Sequence, residues 1–304
     1  MKASLEATSN VWGSLRPLVA SPSTPFLKWA GGKSRHLSDP LVQRVLKPLF
    51  QLDKGRTYYE PFLGGGAFFL MTVPRRAILS DLNGALILTY KAVRSDPDGV
   101  VRALQSLSEP TRERYYQVRR LYNQLISSAS GRARTDPTMV ASLFIWLNHT
   151  CYNGLYRVNR RGEFNVPFGN QPHPTIFSRQ NLHQVSRALD QPDVRLLSMD
   201  YEEALKTARE GDFVYLDPPY DSTPRARGFT GFTADGFGAR EQLRLADVAK
   251  DLRSRGCTVV LTNSNTPSAK SLYQGFNTDV IYATQSISPH GAASREKEEL
   301  LIWG

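Results

Sequence analysis

The sequence predicts an α/β fold in which helices flank a mainly parallel sheet, and two patterns support this prediction. Short apolar runs, each the length of a buried strand and followed by turn residues, lie at residues 58–60, 77–81, 195–199, 212–216 and 257–262. Residues 239–255 have helical spacing, end at a glycine and place on one face Leu243, Ala246, Ala249 and Leu252. Because strands that alternate with helices form parallel sheets, we expect an open sheet covered by helices.

A long stretch between the second and third predicted strands has a different character. Residues 87–150 are helical in pattern and rich in arginine. The stretch is too long for a simple crossover, which predicts an inserted, mainly helical domain over residues 84–180. The sheet domain then comprises residues 25–83 and 181–304. Residues 1–24, rich in Ser and Pro, are interpreted as a flexible tail.

The charge is unevenly distributed along the chain. The formal net charge is +10; Lys and Arg outnumber Asp and Glu by 25 to 12 in residues 1–190, whereas residues 191–304 contain 13 against 16. Excess positive charge in the first part suits a face that binds a polyanion, because neutralised phosphates release counterions. A generally basic soluble protein would have the same composition, so charge alone does not decide between the two.

Cysteine, histidine and hydropathy limit the remaining classes. Cys151 and Cys257 provide neither a disulfide framework nor metal-ligand spacing, and the five histidines have no ligand spacing. We therefore expect no metal and a reducing, cytoplasmic environment. No apolar run approaches 18 residues, so no contact with a membrane is expected. The chain is expected to be a monomer in solution. Residues 221–238, rich in Gly, Thr, Ser and Phe, are interpreted as a mobile loop.

The segment Asp217-Pro218-Pro219-Tyr220 follows an apolar run, so it lies at the carboxyl end of a predicted strand, where ligands of open α/β sheets bind. The exocyclic amino group of a nucleobase is a poor nucleophile, because its lone pair is delocalised into the ring. Asp217 and the Pro218 carbonyl, as acceptors in line with the amino hydrogens, would free that lone pair, and Tyr220 would stack on the base. The segment indicates amino-group methylation, with an ordinary turn as the alternative.

A glycine-rich turn follows the first predicted strand. Glu60-Pro61-Phe62 leads into Gly64-Gly65-Gly66, and glycines let a backbone approach a ligand closely. A phosphate cradle is the rival interpretation, but no Gly-Lys-Ser/Thr follows the turn. Asp81 ends the second predicted strand, where an acid commonly binds ribose hydroxyls. The combination suits a nucleoside without a pyrophosphate, and S-adenosylmethionine is such a nucleoside.

Five segments together resemble the Dam family of DNA adenine methyltransferases, which belong to the alpha group of these enzymes. The segments occur in the family's order, within about residues 26–302, and they are residues 26–33, 60–66, 80–83, 152–169 and 217–220. The stretch YNGLYRVNRRGEFNVPFG at residues 152–169 is highly specific. The resemblance implies a Rossmann-like methyltransferase sheet with an inserted target-recognition domain that carries a β-hairpin. It also implies S-adenosylmethionine as the cofactor.

The resemblance further implies roles around the cofactor. Trp29 would pack near its methionine portion, Asp81 would bind its ribose, and Asp200 and Tyr201 would face its adenine. For Asp200 a helix N-cap is equally plausible, and residues 263–265 could line the pocket of an extruded base or form a turn. The implied cofactor-binding residues are Trp29, Ala30, Gly31, Lys33, Glu60, Pro61, Phe62, Gly64, Gly66, Asp81, Asp200 and Tyr201.

The same resemblance implies how DNA is read. Residues 152–167 have β-type residues around the turn Asn159-Arg160-Arg161-Gly162, which predicts a hairpin able to enter a major groove. In the Dam family the matching hairpin reads GATC. By the resemblance, Lys28 and Arg157 would contact guanines, and Leu155 and Pro167 would contact a thymine. Asn153 would contact a base edge or a phosphate, and Tyr152 would fill the space beside the extruded adenine.

Two alternatives and two departures qualify these contacts. Arg157 could bind a phosphate instead, and Leu155 with Pro167 could simply pack the hairpin. Gln171 occupies a position that is aromatic in the family, and residues 149–151 match no motif of it. The outer bases of the recognition site therefore stay open.

The sequence predicts a site-specific adenine methyltransferase that acts on double-stranded DNA. It would transfer a methyl group from S-adenosylmethionine to N6 of a flipped adenine, at GATC. The alternatives are methylation of a related site as a restriction-modification partner, an RNA adenine methylase, and a non-catalytic protein that binds such sites. A groove-reading hairpin disfavours RNA, because the major groove of an RNA helix is too deep and narrow to be read this way.

Overall fold

The fold is described from a computed structural model. The residues whose placement it describes are 23–33, 36, 39–50, 55–107, 109–129, 136–220, 237–284 and 296–304. The predicted flexible tail, up to residue 22, and residues 221–236 of the predicted mobile loop lie outside this part of the chain. None of the helices in the described part is long and apolar enough to cross a membrane.

A single sheet organises the described residues. Its strands, in chain order, are β1 (Tyr58–Glu60), β2 (Arg76–Asp81), β3 (Asp193–Ser198), β4 (Phe213–Leu216), β5 (Thr258–Ser264), β6 (Asn277–Thr284) and β7 (Glu296–Trp303). They are arranged in the order β3-β2-β1-β4-β5-β7-β6. The first five pair in parallel, which confirms the predicted α/β sheet and places the carboxyl ends of β1, β2 and β4 at one edge.

Strands β6 and β7 were not predicted. They pair antiparallel with each other, and β7 also pairs antiparallel with β5. The sequence of β7, EKEELLIW, places charged residues first and apolar residues last, so it lacks the alternation by which a half-buried strand is recognised. This charged half contributes Glu299, a buried carboxylate, to the site described below.

Helices cover the sheet and build the long stretch between β2 and β3. They are α1 (Pro40–Phe50), α2 (Ala67–Thr72), α3 (Gly84–Ser95), α4 (Pro97–Ser106), α5 (Arg112–Ala129), α6 (Pro137–Thr150), α7 (Arg179–Leu189), α8 (Tyr201–Leu205), α9 (Ala239–Ser254) and α10 (Pro267–Leu272). The predicted helix at residues 239–255 matches α9. Ala246, Ala249 and Leu252 of its predicted apolar face are buried, but the prediction was wrong at Leu243, which is 54% exposed. Gln242 and Leu245 are the residues that complete the buried face.

The helices between β2 and β3 begin at recognisable caps and pack around α6. The side chains of Asn83, Asp96 and Asp136 accept hydrogen bonds from the first turns of α3, α4 and α6. Helix α6 is buried along almost its whole length, and its Trp146 belongs to the same hydrophobic cluster as Tyr58 of the sheet. The helical stretch and the sheet therefore share a continuous apolar core.

Residues 152–169, which follow α6, fold back on themselves and are called the hairpin segment. Isolated antiparallel bridges join Cys151 to Phe168 and Val158 to Phe164, instead of a continuous ladder. The turn closes as expected, with the Gly162 amide donating to the Asn159 carbonyl at 2.9 Å and Gly162 at φ +77°. The segment is thus an irregular hairpin whose tip has the turn chemistry that its sequence predicts.

Candidate active site

A cavity of about 940 Å³ opens at the carboxyl ends of β1, β2 and β4. The predicted cofactor-binding residues line it, with Gly66 as the exception, and so do all four residues of the Asp217–Tyr220 segment. Sequence reasoning missed other lining residues, which include Leu82, Asn83, Met199, Phe237, Arg244 and Glu299. Segments that are remote in sequence meet here because parallel strands end at the same edge.

The glycine turn after β1 is shaped by close contacts of its backbone. Gly64 has φ +46°, and a Cβ atom there would lie 2.6 Å from the Trp29 ring. A Cβ atom at Gly66, which has φ +64°, would lie 2.9 Å from the Tyr90 hydroxyl. Gly66 therefore allows the chain to enter α2 beneath the cavity without lining it. Only glycine adopts these conformations at this proximity without strain.

Two carboxylates lie on the floor of the cavity. Asp81 accepts backbone hydrogen bonds from Gly64 at 3.0 Å and Asn83 at 2.9 Å, and burial raises the pKa of its carboxyl to about 6. Glu60 accepts hydrogen bonds through Oε2 from the Tyr58 hydroxyl at 2.8 Å and the Phe69 amide at 3.2 Å. Burial raises the pKa of Glu60 to about 8, which favours the protonated form of its carboxyl.

Aromatic rings enclose one end of the cavity. The Phe62 ring centroid lies 5.2 Å from that of Tyr201 and 5.8 Å from that of Phe237. The Arg244 guanidinium lies 4.7 Å from the Tyr201 ring centroid and pairs with both oxygens of Asp200, at 2.6 and 3.2 Å. Apolar ring faces beside an ion pair form a slot suited to a flat heterocycle.

Asp200 also caps a helix, as the alternative interpretation proposed. Its Oδ1 accepts a hydrogen bond from the Glu202 amide at 3.0 Å, at the start of α8. Since Arg244 occupies both oxygens as well, Asp200 holds the slot in place while lining the cavity. No sequence motif marked Arg244, which lies on α9.

A second group of side chains at the cavity, called the catalytic corner below, is formed by Lys33, Asp217, Tyr220, Thr262 and Glu299. Lys33 Nζ lies 3.0 Å from Asp217 Oδ1, and the Thr262 hydroxyl donates to the same oxygen at 2.8 Å. Lys33, which the resemblance placed at the cofactor, lines the cavity with its ammonium directed at Asp217. Because both donors use Oδ1, Asp217 Oδ2 is the oxygen that the described residues leave available to a ligand.

Glu299 connects the remaining members of the catalytic corner. Its Oε2 accepts a hydrogen bond from the Tyr220 hydroxyl at 2.7 Å and lies 3.3 Å from Lys33 Nζ and 3.2 Å from His36 Nε2. The Lys33 ammonium also lies 4.7 Å from the Tyr220 ring centroid. Sequence reasoning missed Glu299 and His36; a glutamate followed directly by the apolar run Leu300–Trp303 was the available signal.

Two buried side-chain amides, those of Gln242 and Asn263, hold the loop after Asp217 by hydrogen bonds. The Gln242 side chain donates to the Pro219 carbonyl at 3.1 Å and accepts a hydrogen bond from Asn263 at 3.0 Å. Gln242 and Asn263 are 5% and 1% exposed, so breaking either bond leaves a buried polar group unpaired. These bonds give a structural reason for the polar residues at the end of β5 and on the buried face of α9.

Lys28 is held tightly beside the hairpin segment. The Asn148 side chain accepts from the Lys28 amide and donates to the Lys28 carbonyl, each at 2.8 Å. The aliphatic part of Lys28 packs closely on Gly154, where an added Cβ atom would lie 2.5 Å from Lys28 Cβ. The Lys28 ammonium donates to the His149 carbonyl at 3.3 Å and to Gln171 Oε1 at 3.2 Å. Gln171, the departure from the family pattern, thus contacts Lys28 directly.

Residues of the hairpin segment differ in how they are exposed. Tyr152 is 38% exposed, Asn153 has φ +57° and Pro167 is exposed. Leu155 packs against the hydrophobic core, in agreement with the packing alternative for this residue. Arg157 Nε donates to Asn165 Oδ1 at 2.7 Å, so its guanidinium is oriented from across the hairpin.

The cavity and the hairpin segment are in contact through aromatic rings. The Trp29 ring lines the cavity and stacks on Tyr156, with centroids 5.7 Å apart and an interplanar angle of 20°. Tyr156 immediately precedes Arg157. Among the described residues, no group of three or more His, Cys, Asp or Glu side chains is placed to hold a metal ion.

Comparison with known proteins identifies the kind of enzyme. The profile of the D12 class of N6 adenine-specific DNA methyltransferases matches residues 29–287. The chain belongs to this family. It is therefore an adenine-specific DNA methyltransferase, and the predicted enzyme class and fold are confirmed.

Individual relatives cover almost the whole chain. It is 38% identical over 292 residues to the type II methyltransferase M.MjaIII of Methanocaldococcus jannaschii, an alignment that covers 91% of this chain and 98% of the relative. It is 33% identical over 279 residues to the type II methyltransferase M1.LlaDCHI of Lactococcus lactis subsp. cremoris, covering 91% and 94%. The DNA adenine methylase of Escherichia coli K12 is 35% identical over 279 residues, covering 91% and 93%.

The geometry fits the chemistry of this family. Methylation of an amino group needs acceptors for its hydrogens, an enclosed site for the base and a second site for the methyl donor. The lining of the cavity includes the Asp217 carboxylate and Pro218, the aromatic rings of the slot, and the glycine turn with Asp81.

Proposed function

We propose that this methyltransferase uses S-adenosylmethionine and modifies N6 of an adenine that is extruded from duplex DNA, at GATC. The observation that carries the proposal is the Asp217 carboxylate at the cavity wall, with Oδ1 occupied by Lys33 and Thr262 and Oδ2 left for a substrate. The alignments with two type II methyltransferases and a DNA adenine methylase each cover 91% of the chain, and the names of these relatives support this reaction.

The residues of the cavity suit S-adenosylmethionine. Asp81 has one hydrogen bond on each carboxylate oxygen, so each retains acceptor capacity for a ribose hydroxyl. The slot of Phe62, Tyr201 and Phe237 would hold the adenine ring, and Trp29 and Gly31 would line the methionine end. When bound, S-adenosylmethionine would supply a methyl group carried on a sulfonium.

The target amino group would lie between two acceptors in the catalytic corner. Asp217 Oδ2 and the Pro218 carbonyl would accept its two hydrogens, which favours a pyramidal nitrogen with an available lone pair. The Gln242 bond to the Pro219 carbonyl holds this loop, and the Glu299 bond to the Tyr220 hydroxyl fixes the ring that would stack on the base. Such preorganised acceptors act where charge develops in the transition state.

The hairpin segment and Lys28 would read the DNA. Arg157, oriented by Asn165, would contact a guanine edge, and Lys28, clamped by Asn148, would contact the guanine before the target adenine. Tyr152, exposed at the start of the segment, would fill the space beside the extruded base. We propose residues 84–180 as the target-recognition domain and residues 25–83 with 181–304 as the catalytic domain. The enzyme would act as a monomer in the cytoplasm, where its DNA lies.

A digestion experiment tests this function. Unmethylated plasmid is incubated with the protein and S-adenosylmethionine, then cleaved separately by a nuclease that methylated GATC blocks and by one that requires it. We expect protection from the first nuclease and new cleavage by the second. The Asp217→Ala protein serves as the inactive control.

Other outcomes separate the alternatives. Methylated adenines that sequencing finds outside GATC would keep the reaction and overturn the site. Methylation of an RNA strand in preference to the matching DNA duplex would overturn the proposed substrate. Binding to the duplex without any methylation would overturn the catalytic role.

A further inference from the structure

A single lysine in the catalytic corner lies between two carboxylates. Lys33 Nζ is 3.0 Å from Asp217 Oδ1 and 3.3 Å from Glu299 Oε2, and the three side chains come from distant parts of the chain. The side chains of Lys33 and Glu299 are 4% and 6% exposed. An ion pair needs one carboxylate, and burying a second one is costly unless partners compensate its charge.

The reaction releases a proton beside these groups. The amino nitrogen that gains a methyl group carries a positive charge until one of its N–H bonds breaks, and the proton then needs an acceptor. Asp217 Oδ2 is the acceptor that faces the amino group under the proposed function. When an O–H bond forms there, Asp217 loses its negative charge, and Lys33 needs another counterion.

We propose that Glu299 is a positioning residue that supplies this counterion, so that Asp217 can accept the proton while Lys33 stays charged and in place. This inference rests on the proposed role of Asp217. With Asp217 as its sole partner, Lys33 would hold that carboxylate in its ionised form and oppose the proton transfer.

The electrostatics of the two carboxyl groups support different roles. Burial and the charge of Glu299 raise the pKa of Asp217, against the opposing effect of Lys33. Burial also tends to raise the pKa of Glu299, but the hydrogen bond from His36 and the charge of Lys33 lower it to about 2. Asp217 is therefore the carboxyl group that takes up a proton, and Glu299 the one that keeps its charge.

The other groups around Asp217 do not supply the missing charge. Tyr215 and Tyr220 have pKa values raised by burial, so both are neutral at physiological pH. Glu60 accepts its hydrogen bonds from Tyr58 and Phe69, and burial raises its pKa to about 8, which favours its neutral form. Thr262 donates to Asp217 without a charge. His36 lies on the far side of Glu299 and contacts only that carboxylate of the pair.

Direct titration of Asp217 tests the inference without any cofactor. The carboxyl carbons of aspartate are labelled with ¹³C, and the Asp217 signal is assigned by its loss in Asp217→Asn. In Glu299→Gln, which retains an acceptor for the Tyr220 hydroxyl, we expect the titration midpoint of Asp217 to fall by about one pH unit or more. In Glu298→Gln, an exposed neighbour on β7, it should not move. An unchanged or higher midpoint in Glu299→Gln overturns the proposal.

Kinetics supply the second readout. The rate of a single methyl transfer should rise as Asp217 ionises, so a lower midpoint moves the acidic limb of its pH profile to lower pH in Glu299→Gln. We expect the plateau rate to fall by about 10- to 100-fold, a part of the usual contribution of a positioned acid or base. The dissociation constants of DNA and S-adenosylmethionine should stay unchanged.

Two further variants separate charge from shape. Glu299→Asp retains the charge, so its acidic limb should stay at the wild-type position. His36→Gln should also keep a limb, because the proposal assigns the limb to Asp217. Loss of the limb in His36→Gln, or a lower rate in Glu299→Gln with the limb unmoved, would overturn the inference. Failure of the wild-type protein to methylate any DNA would instead refute the proposed function.

Discussion

The catalytic corner and the hairpin segment are built in opposite ways. In the catalytic corner, buried charged groups are bound to one another, and Lys33, Asp217 and Glu299 come from distant parts of the chain. In the hairpin segment, isolated bridges hold an irregular loop whose turn, Arg160 and Arg161, is exposed. A transition state needs groups that are already in place, whereas a groove reader must meet a surface that it does not enclose.

The difference predicts how substitutions behave. Removal of one member of the catalytic corner takes a partner from a buried charged group and should change the rate of the reaction. Removal of an exposed residue of the hairpin segment should change which DNA is bound or methylated, with little effect on the chemistry. Each experiment below compares these two consequences, from the largest expected effect to the smallest.

The largest effect is expected for Asp217→Ala. Loss of an acceptor that acts mainly in the transition state should lower the methyl transfer rate by at least about 10²- to 10³-fold, the usual cost of one such group. Rapid-quench kinetics would measure the rate, and calorimetry the binding of DNA and cofactor, which should stay largely intact. A variant with near-normal turnover would assign Asp217 a structural role.

Asp81→Ala should act on the cofactor instead. Loss of charge-assisted hydrogen bonds to ribose hydroxyls would weaken S-adenosylmethionine binding by about 1.5–3 kcal/mol. Calorimetry with the folded variant measures this directly, and circular dichroism controls for folding. Unchanged cofactor affinity would mean that Asp81 only holds the Gly64 and Asn83 amides, the two contacts that it already makes.

The same carboxyl group predicts a pH dependence. Its pKa is raised to about 6, so lowering the pH through this value protonates Asp81 in the cofactor-free protein. A protonated carboxyl is a weaker acceptor for hydroxyls, and we expect cofactor affinity to fall as the pH decreases below about 6. Binding measured between pH 5 and 8 should lose this step in Asp81→Asn; a step that persists in the variant belongs to another group.

Much of the site could be predicted from the sequence, because its carboxylates lie at the carboxyl ends of strands that the sequence itself indicates. Asp217 follows β4 and Asp81 ends β2, and the sheet alone brings them to one edge. Glu299, His36 and Arg244 could not be found in this way. Their roles depend on which side chains face each other across β7, the Lys33 turn and α9, and no local pattern encodes those contacts.

The hairpin segment is predicted less completely for a related reason. Its turn residues specify the tip, and the Gly162 bond to Asn159 is where the sequence places it. The pairing of Arg157 with Asn165 depends on register, which an irregular hairpin sets through a few bridges and not through alternation. The distinction between base and phosphate contacts depends on DNA, so it needs an experiment.

Arg157→Ala should change specificity at one base pair. If Arg157 reads a guanine edge, the variant should lose about 1–3 kcal/mol of discrimination there and methylate variant sites more evenly. Methylation of oligonucleotides with single base-pair substitutions measures this. Arg160→Ala, at the exposed tip of the same hairpin, is the matched control. This variant should weaken binding to all DNA sequences alike and lower the salt slope of binding by about one. A uniform loss for Arg157→Ala would show that Arg157 contacts a phosphate.

The smallest effect is expected for Asn165→Ala, which leaves Arg157 in place but removes the 2.7 Å bond that orients its guanidinium. In the variant, Arg157 must lose side-chain entropy when it contacts DNA, whereas in the wild-type protein Asn165 has already ordered it. This entropy loss weakens the contact. We expect about 0.5–1.5 kcal/mol less discrimination at the base pair that Arg157 is proposed to contact, and no change at other base pairs. The same oligonucleotide panel decides it, with the double variant Arg157→Ala/Asn165→Ala as the test of coupling. If Asn165 acts only through Arg157, the double variant discriminates no less than Arg157→Ala alone. Additive losses would mean that Asn165 contacts DNA itself, and the hairpin segment would then read the site through two independent side chains.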